Sequence, residues 1–150
     1  MSNFTPAEAK ALFTAIQSMA HQLAIFRATE THDPLNAPGE GMWCSITLGA
    51  IRPASSGLAA VSGQVTLLVR IWSSALQKPQ GNIDPDILAA TCTLMAAFAG
   101  GFTLGETVRD IDLMAMTAQP AWVPDFEGKP FRVVEISLPI VINDMFTESA

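Results

Sequence analysis

This sequence is short of charge. Only 15% of its 150 residues are Asp, Glu, Lys or Arg, whereas 49% are apolar; a soluble domain ordinarily carries about 25% charged residues. A monomer this poor in charge risks self-association, and burying part of the exterior against other subunits resolves the difficulty. Basic residues number eight, scattered along a chain of formal net charge -6. That excludes a nonspecific nucleic-acid binder, which needs clustered Lys and Arg against phosphates. The two histidines and two cysteines show no H-x-x-H or C-x-x-C spacing, so a zinc site is not expected. Cys44 and Cys92 each sit in an apolar pattern and read as buried thiols rather than a disulfide. "MSNFTPAEAK" lacks the regions of a signal peptide, and no stretch approaches the roughly 18 to 20 apolar residues of a membrane span, so the expected location is the cytoplasm where the protein is made. Repeats, low-complexity runs and domain boundaries are absent, and residues 1–150 read as a single domain.

What is present is a sequence of well-marked elements. Thr5, Pro6 and Glu8 form a capping signal for a helix whose apolar stripe (Leu12, Phe13, Ile16, Met19, Leu23, Phe26) must lie on a sheet. Residues 27–41, with two prolines and two glycines, read as a long loop or short extended arm. "MWCSITLGAIR" and "VSGQVTLLVRIW" alternate as strands and most simply form an antiparallel hairpin. Asp84 and Pro85 signal a second helix with Ile87, Leu88, Thr91, Leu94, Met95 and Phe98 on its apolar face and Gly100 and Gly101 as its stop. "TVRDIDLMAM" reads as a strand with one solvated face, "TAQPAWVPDFEGK" as a loop, and "FRVVEISLPIVIND" as the last strand. Val134, Ile136, Leu138, Ile140 and Ile142 keep one parity through Pro139, which favours an unpaired edge there over a bulge. The expected fold is α+β, two helices packed on one face of a mainly antiparallel sheet in the order α-β-β-α-β-β.

No convergent catalytic group emerges, and neither an enzyme nor a cofactor is expected. His21 and His32 read as surface residues. Asp110 and Asp112 share a strand face, which is either solvated or suited to a divalent cation with oxygen ligands from a neighbour. The oddity is the second face of the hairpin, where Trp43, Trp72, Ile51 and Leu68 lie among uncharged polar residues and one charge, Arg70. Either the second helix or the long loop folds over this face within the chain, or a neighbouring subunit covers it, Trp and Arg being common interface anchors. In the second case the contact residues are Trp43, Leu68, Arg70, Trp72 and Pro139.

The capped helix from Thr5, the loop from "THDP" to "PGEG", the strand "VSGQVTLLVRIW", the helix "IDPDILAATCTLMAAF" and the closing "KPFRVVEISLPIVIND" together resemble the tail-terminator proteins of long-tailed phages and prophages, the lambda-like tail-completion group. The resemblance spans essentially the whole chain and rests on architecture, not on a catalytic signature. It implies a homo-oligomeric ring, commonly a hexamer, at the head-proximal end of a virion tail. Such a ring docks on the last disc of tail-tube protein, ends its polymerisation and faces the head connector, with DNA passing only in transit through the lumen. A head-to-tail connector (neck) protein is the alternative within virion assembly, and a small α+β enzyme or ligand-binding domain the alternative outside it.

Overall fold

In the computed structural model, which describes residues 4–54, 60–76, 79–100 and 110–147, the chain begins with helix α1 (Pro6–Gln22). The Thr5 hydroxyl accepts from the Glu8 amide at 3.2 Å, and Pro6 occupies the first turn, where a missing N–H leaves nothing unpaired. Periodicity carries this helix to Phe26, but the structure ends it at Gln22. The amides of Leu23 and Ala24 turn back onto the carbonyls of Ala20 and His21, and Ala24 takes a left-handed φ of 57°. The chain then enters a three-residue strand, β1 (Ala28–Glu30), which pairs in parallel with the start of β2 (Met42–Ala54).

β2 and β3 (Ala60–Ser74) form the expected antiparallel hairpin. Its register shifts between Leu48 and Ile51, so Ile51 pairs with Val65 on the helix-covered side rather than sharing a face with the tryptophans. Gly49 makes the irregularity possible, since a Cβ there would stand 2.9 Å from the Thr66 carbonyl oxygen. A 3-10 turn (Gln80–Asn82) leads into α2 (Ile83–Gly100). Asp84 is therefore a first-turn residue and not the cap, and Pro85 falls among the early positions whose amides have no helical partner. Ile83, Ile87, Ala90, Thr91, Leu94 and Phe98 are the buried residues; Leu88 is exposed and Met95 half-buried. Gln80–Gly100 is long and apolar enough, at mean hydropathy 1.2, to cross a membrane by length and composition, contrary to the sequence expectation. Its inner face instead joins the same core as α1. Gly101, the second residue of the expected stop, lies outside the described residues.

Of the strand expected over 107–116, residues 107–109 lie outside the described residues and only β4 (Asp110–Ile111) is extended, followed by a turn at 113–115. The proline-bearing stretch expected to be a loop is a strand, β5 (Thr117–Phe126). Among the described residues it pairs only with β6 (Lys129–Thr147), at the sheet rim, where prolines whose nitrogens face away from the neighbour are tolerated. Glu127 and Gly128, both at positive φ, make the two-residue turn that joins β5 to β6.

The six-stranded sheet runs β1-β2-β3-β6-β4, with β5 also on β6. β6 is thus central, not an edge. Pro139 is buried, stands opposite Thr66 of β3, and its carbonyl accepts from the Asp112 amide at 2.9 Å. In a strand a residue's nitrogen and carbonyl point the same way, so the donor that proline lacks would aim at the place where β4 gives way to β5. The missing hydrogen bond falls in an internal seam. Both helices pack on one face of the sheet, against Cys44, Ile46, Leu67, Val69, Ile136, Leu138 and Ile140, all fully buried. The α+β architecture holds, with two strands added, the short β1 in a parallel pair and the ten-residue β5 in place of a loop.

Candidate functional site

On the opposite face the alternation that buries Leu67, Val69 and Ile71 turns Leu68, Arg70 and Trp72 outward. Arg70 is the hub. Its Nε donates to Glu135 Oε2 at 2.8 Å, and its Nη1 donates to Asp33 Oδ2 at 2.9 Å and Thr47 Oγ1 at 3.0 Å. The other Asp33 oxygen accepts from the Ser45 hydroxyl at 2.8 Å, and that hydroxyl in turn accepts from the Trp72 indole N–H at 3.0 Å. Charge-assisted bonds of this length are the stronger class, and a planar guanidinium suits two carboxylates at once. Asp33 belongs to the segment between β1 and β2, so this network straps that segment to the sheet. A second tie joins the Ala37 amide to Glu127 Oε2 at 3.2 Å.

Beneath the strap lies a small aromatic cluster. Trp72 meets Phe126 at 5.9 Å and Phe131 at 6.4 Å in edge-on geometry, and Ala37, Trp43, Val123 and Val133 pack around them. His32 lies over Trp43, ring centres 6.3 Å apart. The cover foreseen as one of two possibilities is therefore supplied by the chain's own loop. Trp72, 7% exposed, and Pro139 are enclosed within the subunit and are not surface residues, which corrects their assignment as contacts. Trp43, Leu68 and Arg70 remain half-buried at the surface.

The groups considered for chemistry do not converge. Asp112 Oδ2 accepts from Gln64 Nε2 at 3.5 Å, and Gln64 also accepts from Arg52 Nε; the Asp110 side chain lies outside the described residues. Among the described residues no three His, Cys, Asp or Glu side chains come together as a metal would require. Cys44 is buried, and loss of hydration pushes its thiol from 9.0 up to about 12. Cys92, expected to be buried, is exposed on α2. His21 and His32 are exposed, as read from sequence.

Sequence reasoning missed two uncovered apolar areas at opposite rims of the sheet. At the β2 rim, Leu48 is 52% and Ile51 49% exposed. At the β5 rim, a groove of about 470 Å³ runs between α2 and the sheet, lined by Ile87, Leu88, Ala118, Pro120 and Val134. Leu88 is 62% exposed on its helix wall, and nearby on β5 Trp122 is 57% exposed. The Arg132 guanidinium lies 4.6 Å from the Trp122 ring centre and pairs with Asp84 at 3.0 Å. A tryptophan in a stretch read as a loop was the one available signal.

No protein-family model and no curated protein matches the sequence. Among solved structures, a chain from the virion of a native gene transfer agent particle matches with a TM-score of 0.56 at 14% identity, over 93% of this chain and 100% of that one. A PVC sheath/tube terminator chain, from an extracellular contractile injection system in its extended state, matches with a TM-score of 0.44 at 12% identity. This match covers 100% of this chain and 62% of that one. The first likeness establishes a shared fold.

Proposed function

We propose that this protein is a structural virion subunit that assembles with copies of itself into a ring, six in number, on the end of a tail tube. There it stops tube growth and presents a docking surface to the head connector. The observation that carries this reading is the fold held in common with a chain of a gene transfer agent virion along the full length of that chain. The five sequence segments that resemble lambda-like tail terminators supply the more specific role. Fold alone selects no function, but the surface is consistent with it: apolar side chains stand uncovered at two rims, and no cluster of His, Cys, Asp or Glu able to hold a metal is gathered among the described residues. A ring needs contact surfaces and no catalysis. Its net negative charge suits a lumen that DNA traverses without adhering.

The test is to add the purified protein to tail-tube protein of the same virion during polymerisation and image the products by cryo-microscopy. Short tubes closed at one end by a ring are expected. Tubes that lengthen unchanged with bare ends overturn the proposal, and recovery of the protein on heads but not on headless tails replaces it with the neck reading.

A further inference from the structure

We propose that the two uncovered rims are halves of one contact, in which the β2 rim of a second copy of this chain, led by Leu48 and Ile51, seats in the groove between α2 and β5. The inference rests on the ring reading and names the contact that would close the ring.

Four observations carry it. First, β1 pairs only with residues 43–45 of β2, so from Ile46 onward β2 has no outer strand partner among the described residues. Leu48 and Ile51 stand opposite the buried Leu67 and Val65 and so face the helix side, yet both are half exposed, whereas Ile46 is fully buried. They are core-type side chains that the chain leaves uncovered. Second, the groove is the matching concavity, walled by Leu88 on α2 and by Ala118 and Pro120 on β5. Third, charge is complementary at one point: exposed Arg52 follows Ile51, and the groove lining includes Asp84, whose carboxylate is 64% exposed although it pairs with Arg132. Fourth, the rims lie on opposite sides of one sheet. A single chain cannot bring them together, but each copy can use both at once with two different neighbours. That is the head-to-tail arrangement that closes into a ring when the rotation per copy divides the circle.

The contact is one of side chains and not of strand addition. Pro120 lacks an amide donor within the regular part of β5, and Pro124 lacks one inside the register shift between Val123 and Phe126, so this rim offers no continuous row of donors to an added strand.

Two variants at exposed positions test this, Ile51→Glu in the rim and Leu88→Glu in the groove, each checked for native circular dichroism and wild-type melting temperature. Wild type, each variant and an equimolar mixture are followed by sedimentation across a wide concentration range, free and with tail tubes, the tube-bound fraction being sized after crosslinking. Wild type is expected to form the closed oligomer and each variant to remain monomeric, its apparent association weakened at least about tenfold by a carboxylate set in an apolar contact. The mixture should stop at a dimer, since the first variant keeps its groove and the second keeps its rim. If wild type forms a ring and either folded variant does so equally well, or if the mixture stays monomeric, this contact is overturned while the ring reading stands. A wild type that is monomeric in solution and on tubes overturns the ring reading and this contact with it.

Discussion

The two faces of the sheet are built by opposite means. The helix-covered face is closed by apolar side chains repeating every second residue along β3 and β6, a pattern that tolerates no slip because one step would turn every one of them outward. The other face is closed by a few directional bonds radiating from Arg70, together with an aromatic cluster under a loop. The first face draws its stability from area removed from water, the second from geometry. Loss of a side chain should therefore leave a cavity in one and an orphaned polar group in the other.

The largest expected effect lies on the apolar face. Leu138→Ala, at a fully buried position, should lower unfolding free energy by about 2–5 kcal/mol in urea titration. A loss no larger than that of the polar-face variants below would break the comparison. Ser45→Ala removes the acceptor of the buried Trp72 indole and one anchor of Asp33. It should cost about 1–3 kcal/mol, the penalty of an unsatisfied buried donor, with a red-shifted tryptophan fluorescence as the local readout.

Arg70→Met sharpens the contrast further. Its carboxylate partners Asp33 and Glu135 are 45% and 36% exposed, so solvent takes up much of the lost pairing and about 1 kcal/mol or less is expected. The loop should nevertheless loosen, and limited proteolysis within residues 31–41 should accelerate several-fold. Equal cleavage rates in variant and parent would show that the strap does not depend on Arg70. Thiol labelling should leave the fold undisturbed: exposed Cys92 reacts in the native protein and buried Cys44 only after unfolding. Because burial raises the Cys44 thiol above its ordinary value, the folded chain favours the neutral form. That contribution is intact below pH 9.0 and declines as pH rises toward about 12. Two thiols titrating in native protein at neutral pH would contradict this placement.

These two modes of closure also decide what could be read from the chain. The cap at Thr5 and Glu8 is a local interaction over three positions, and the parity of Val134 through Ile142 is a property of one strand, so both were legible. Arg70 was visible as a lone charge, but its partners Asp33 and Glu135 lie 37 and 65 positions away, and no periodicity predicts a meeting at that range. Trp43 and Trp72 were placed correctly on one face; what covered them stood open between the long loop, the second helix and a neighbouring subunit, because a loop leaves no repeating signature. β5 was hidden by Pro120 and Pro124, which mark a loop unless the strand is known to lie at a rim. The change of partner along β6 was equally invisible: Pro139 signalled a missing bond without showing that the seam was internal.

The place of β6 bears on how the molecule is made. Every other strand precedes it in the chain, yet it lies between β3 on one side and β4 and β5 on the other. On the ribosome, β3 must wait with a bare flank until translation has passed Thr147, and for that interval the nascent chain carries an adhesive edge that the finished protein conceals. For a polypeptide with so few charges to keep neighbours apart, the delay between making β3 and making its mate is the period of greatest exposure to wrong pairing.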